Sequence, residues 1–66
     1  MLTEGLQVIH ICQEDPYDLV EALEFRGYKV DGIDPYNGSE TGVWFRATEE
    51  ERVDLWVKLS KHFNLT

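Results

Sequence analysis

Sixty-six residues allow one domain with a limited core, and a 42% hydrophobic content with two Trp, three Tyr and three Phe sets the chain apart from a disordered tail. Thirteen acids against six bases give a net charge of −7, which argues against direct binding of nucleic acid or of an anionic membrane. The lone cysteine, Cys12, excludes an intramolecular disulfide, so an apolar core must hold the fold.

In chain order, Leu6–Cys12 is the first element. It is short, rich in β-branched residues and apolar at both parities, which predicts a strand that is internal or covered on its second face. Asp15-Pro16-Tyr17 follows. Asp15 can accept from free N–H groups of a first helical turn, and Pro16 suits a position where the amide would be unpaired. A helix is predicted over Pro16–Arg26, with Leu19, Val20 and Leu23 as its apolar stripe and Gly27 as its stop.

Tyr28 and Val30 alternate with Lys29 and Asp31, which predicts a second strand. A second Asp-Pro-Tyr begins at Asp34, but Asn37-Gly38 then signals a turn and no helical stripe follows. The repeat therefore reads as one piece of local grammar used twice, not as a duplicated motif. Val43–Thr48 predicts a third strand, with Val43, Phe45 and Ala47 on one face and Trp44 and Arg46 on the other. Thr48-x-x-Glu51 spells a capping box. It opens a predicted helix over Glu49–Phe63 with a core stripe of Val53, Trp56, Val57, Ser60 and Phe63, widened by Leu55 and Leu59.

The expected fold is a single α+β domain over residues 1–66, in the order β-α-β-β-α. The third strand would lie between the first two, and both helices would cover one sheet face. Such a fold resembles a truncated ferredoxin-like arrangement in topology alone, which carries no function with it.

Chemistry is sparse. His10, Cys12 and His62 are the chain's only imidazole and thiol groups, one short of the four ligands of a structural zinc site. Asp31, Asp34, Asn37, Ser39 and Glu40 offer oxygens, but not in EF-hand order. No Gly-x-Ser-x-Gly and no phosphate loop occur. The expectation is a non-enzymatic protein without a cofactor or metal.

The charge is lopsided. Residues 1–35 hold eight acids and two bases, net −6, whereas residues 36–66 hold five acids and four bases, net −1. Glu14, Asp18 and Glu21 fall close by helical angle, with Glu24 trailing, and none has a basic neighbour four residues away in that helix. Like charges at that spacing destabilise a helix, and Glu24 lies toward the end where an acid is unfavourable. Asp15, Asp31 and Asp34 extend the acidic set, and Trp44 is a candidate aromatic anchor. Carboxylates about 5–6 Å apart on a rigid element roughly match the spacing of successive phosphates on a nucleic-acid strand.

These residues point to a basic protein partner, one that itself binds DNA or RNA, engaged and blocked through the acidic face. In size and charge the chain resembles small acidic inhibitors of the DNA-mimic and phage host-takeover type. The alternative expectation is a small ligand-binding or scaffold module that homodimerises through its open sheet face, with Trp44, Val8 and Cys12 at the join. The chain would be a monomer or a homodimer. No apolar run approaches the roughly 20 residues that span a membrane, and MLTEG lacks the basic start and apolar stretch of a signal peptide. The expected location is the cytoplasm, that of a host if the protein is viral.

Overall fold

Five elements follow one another: β1 (Gly5–Ile11), α1 (Tyr17–Phe25), β2 (Lys29–Asp34), β3 (Thr41–Ala47) and α2 (Glu49–Leu59). The structure is a computed structural model that describes residues 4–66, so the first three residues of MLTEG lie outside it. The sheet order is β1-β3-β2, and β3 runs antiparallel to both neighbours. The domain is thus a small α+β unit with β3 at its centre.

The alternation of β3 sorts the molecule. Thr41, Val43, Phe45 and Ala47 are buried, while Trp44 is half-buried and Arg46 exposed. Val43 lies opposite Ile9, and Phe45 lies opposite Gln7 on one side and Val30 on the other. Residues facing each other across antiparallel strands share a face. Ile9, Ile11, Val43, Phe45 and Ala47 therefore form one apolar sheet face, completed by Leu19 and Leu23 from α1 and Leu55 and Leu59 from α2. Tyr28 meets Phe45 edge-on, with ring centroids 6.0 Å apart.

Local chemistry sets the boundaries. Asp15 Oδ1 accepts from the Tyr17 amide at 2.9 Å and closes the turn into α1. Gly27 ends that helix at φ 88°, a conformation in which a side chain would be strained. Asn37 Oδ1 accepts from the amides of Ser39 and Glu40 and shapes the β2–β3 connection. Thr48 and Glu51 form the full capping box. The Thr48 hydroxyl accepts from the Glu51 amide at 3.1 Å, and Glu51 Oε1 accepts from the Thr48 amide at 2.8 Å.

Two expectations for α2 are corrected. The helix ends at Leu59, not Phe63. Beyond it the amides of His62 and Phe63 both donate to the Leu59 carbonyl, and the chain folds back so that Asn64–Thr66 lie along β1. Its buried stripe is Leu55 and Leu59, whereas Val53 and Val57 are about half exposed, at 48% and 52%. Side-chain bonds account for this rotation. Tyr28 donates to Glu51 Oε2 from the β2 side, and Arg52 Nε donates to Gln7 Oε1 on β1 at 3.0 Å. Residues 51 and 52 thus straddle the sheet, and residues 55 and 59 come down on it.

Replacing Thr48 by Ala is expected to cost about 1 kcal/mol, the usual effect of losing a side-chain cap, measurable by urea denaturation. The Thr48 amide, bonded to Glu51, holds that carboxyl below its ordinary value. A depressed carboxyl stabilises the fold above its unfolded value and loses this contribution as pH falls through its folded value. Glu51→Gln is therefore expected to flatten the acid limb of a stability–pH profile and leave its slope near neutrality unchanged.

Candidate functional site

The acidic surface starts from the packing of α1. Leu19 and Leu23 are fully buried, with Val20 and Ala22 partly buried beside them, which turns Asp18, Glu21 and Glu24 to solvent. These three follow one another at i,i+3 spacing and form a row along the exposed side. Glu14 and Asp15 are also exposed, but they precede the helix. The sequence-based row of Glu14, Asp18 and Glu21 on one helical face thus becomes a loop pair followed by a helical row, because the helix begins only at Tyr17.

No salt bridge among the described residues involves Glu14, Asp15, Asp18, Glu21 or Glu24. Arg26, the one cation near the end of α1, turns back and donates to the Ala22 carbonyl at 3.1 Å. No basic residue occupies the last turn of α1. By contrast, Lys58 and Asp54 of α2 meet at 2.9 Å, and Arg52 and Glu49 lie 3.8 Å apart.

Aromatic surface accompanies the row. Phe25 is 91% exposed and Tyr17 66% exposed, one at each end of the helix. Phe25 stands with Asp18, Glu21, Glu24 and Arg26 around a shallow hollow of the α1 surface. Its outward position was readable from sequence, since two residues beyond Leu23 is about 200° around the helix.

The remaining candidates lie elsewhere. Asp31, Asp34 and Trp44 belong to the sheet side away from the helices. Trp44 Nε1 donates to Asp34 Oδ2 at 2.9 Å, and Arg46 Nε lies 3.8 Å from Asp31. Gly42 permits this arrangement, because a Cβ there would sit 3.2 Å from Asp34 Oδ2 and 3.3 Å from the His10 ring. His10 in turn lies 4.0 Å from Glu40. Charged and polar groups thus spread over the open sheet face around Trp44. The acidic set divides into an unpaired group on and before α1 and a bonded group on the sheet.

The possible metal-binding residues do not converge. Among the described residues no group of three or more His, Cys, Asp or Glu side chains is placed to hold a metal ion. No described helix is long and apolar enough to cross a membrane. No family model, curated protein or solved structure matches the chain.

The unpaired row has a measurable cost to the fold. Glu24→Lys should stabilise the protein by a few tenths of a kcal/mol at low salt, through relief of repulsion by Glu21 and a better match to the helix dipole. Thermal unfolding at two salt concentrations checks this, and the gain should shrink at the higher one.

Proposed function

We propose that this protein is a non-enzymatic binding protein that uses the outer face of α1 to engage and block a basic site on another protein. The partner class is a protein whose own ligand is DNA or RNA, because such proteins carry the cationic grooves that a row of carboxylates complements. The observation that carries the reading is Phe25, nearly fully exposed beside an unpaired carboxylate row. Exposed aromatics are favoured anchors at interfaces, and an acidic surround steers a basic partner onto them.

In this mechanism long-range attraction guides encounter and falls as salt rises. The carboxylates of Asp18, Glu21 and Glu24 then take the place of phosphates in the groove, while Phe25 enters an apolar pocket at its margin. Glu14, Asp15 and Tyr17 extend the contact at the start of the helix. The bonded group, Asp31, Asp34 and Trp44, faces another way and is left outside this contact. The site of action is the cytoplasm in which such a partner is found.

Affinity capture from a cell lysate at low and high salt tests the reading. A nucleic-acid-binding protein should be recovered at low salt and lost at high salt. An Asp18→Lys, Glu21→Lys variant should lose it at both. Phe25→Ser should weaken capture about tenfold or more while changing stability by no more than about 0.5 kcal/mol, since the ring is exposed. Recovery of no basic protein, or capture indifferent to both variants, would remove the proposal.

A further inference from the structure

The sheet face turned away from the helices is ordered in rows. Cross-strand register places Leu6, Arg46 and Lys29 in one line across β1, β3 and β2. Val8, Trp44 and Gly32 form the next line, and His10, Gly42 and Asp34 the one after it. Residues opposite one another in such a sheet share a face, and the contacts agree. Trp44 bonds to Asp34, and a Cβ on Gly42 would meet both Asp34 and the His10 ring. The first row carries the cations and the middle row is apolar. The third row carries Asp34, with Glu40 beside His10. Asp31 reaches Arg46 from the break in register between Val30 and Gly32.

Two charges of this face stay without an ion pair. Lys29 and Asp34 stand at opposite ends of β2, both exposed, and neither enters a salt bridge among the described residues. Five strand residues separate them by roughly 16 Å, too far to meet within one chain. The middle row between them is open to contact. Val8 and Trp44 are half-buried, and Leu6 beside them is exposed. A Cβ on Gly32 would meet nothing within 4 Å, so there is open space beside the Trp44 indole.

The order of the rows selects the occupant, because turned end for end this surface complements itself. We infer that the open sheet face packs on the same face of a second copy of this chain, about a twofold axis along Val8–Trp44–Gly32, to form a two-sheet sandwich with the helices outside. Under that axis each contact occurs twice. Lys29 of each copy lies over Asp34 of the other, Leu6 lies over the His10 ring, and Trp44 lies over Trp44. A twofold axis along the strands would instead set Arg46 on Arg46, a repulsive arrangement. The charges on the face are Lys29 and Arg46 against Asp31, Asp34 and Glu40, with Glu4 at its margin, so it is much nearer balance than the whole chain at −7. The acids of α1 and α2 belong to the helices that cover the opposite face. Packed sheets stand about 10 Å apart. The helices lie a further layer out on each side, beyond the screening length of about 8 Å at physiological salt. Three short strands offer less than the roughly 800 Å² per partner of a standard interface, so dissociation falls in the micromolar range. Both α1 faces stay outside the join, which makes this pairing independent of the partner proposed for α1.

Sedimentation of the intact protein from micromolar to millimolar concentration, joined to NMR of the indole N–H groups, tests this pairing. The mass should double with concentration, and the Trp44 indole resonance should shift in step with it. Lys29→Asp sets two acids face to face at both ends of the join and should raise the dissociation constant about tenfold or more. Lys29→Asp combined with Asp34→Lys exchanges the two charges and should restore the dimer. Both positions are exposed, so the monomer fold should persist in each variant, as circular dichroism can verify. A monomer up to millimolar concentration overturns the inference. So does a dimer that leaves the Trp44 resonance in place, one that Lys29→Asp leaves intact, or one that the charge exchange fails to restore.

Discussion

The two-sidedness of β3 governs the rest of the molecule. Among the described strands it is the one with a strand on each edge, so its register sets the position of β1 and β2. Its odd-numbered residues enter the core and its even-numbered ones do not. In a chain of 66 residues there is apolar material for one covered face and little for a second. Both helices therefore draw on the same sheet face, and the other face is finished with polar bonds. Asp34 to Trp44, Asp31 to Arg46 and Glu40 to His10 are the bonds that finish it.

This single-core economy explains how charge is distributed. Acids on the sheet face bond to Trp44 or lie beside Arg46 and His10. Acids of α1 have no such neighbours, because the helix turns its polar side away from every other element. The two helices thus follow different logics. α2 starts with a complete capping box and carries charges of both signs, whereas α1 carries acids alone, the last of them, Glu24, toward the end that disfavours it. Exposed aromatics stand at both ends of that helix, Tyr17 at its start and Phe25 at its finish.

The molecule consequently presents two surfaces of opposite kind. The α1 face is charged and exposed, whereas the β1 edge carries no acid, lysine or arginine.

Local patterning alone determined much of this protein. Element order, the faces of Val43–Ala47, the Thr48–Glu51 cap, the Gly27 stop and the exposed acids of α1 all follow from interactions within a few residues. The different uses of the two Asp-Pro-Tyr segments were also visible, since only one is followed by a helical stripe. The rotation of α2 was not. Val53-Trp56-Val57 and Leu55-Leu59 are rival stripes on one helix, and hydrophobicity favours the wrong one. Contacts from Tyr28 and Gln7, each distant in sequence, chose between them. The division of the acids into bonded and unpaired groups depended likewise on which strands become neighbours. So did the bare edge of β1, because a strand apolar at both parities reads as internal until the sheet order places it outside. Periodicity specifies which residues share a face; only the assembled tertiary contacts specify what that face meets.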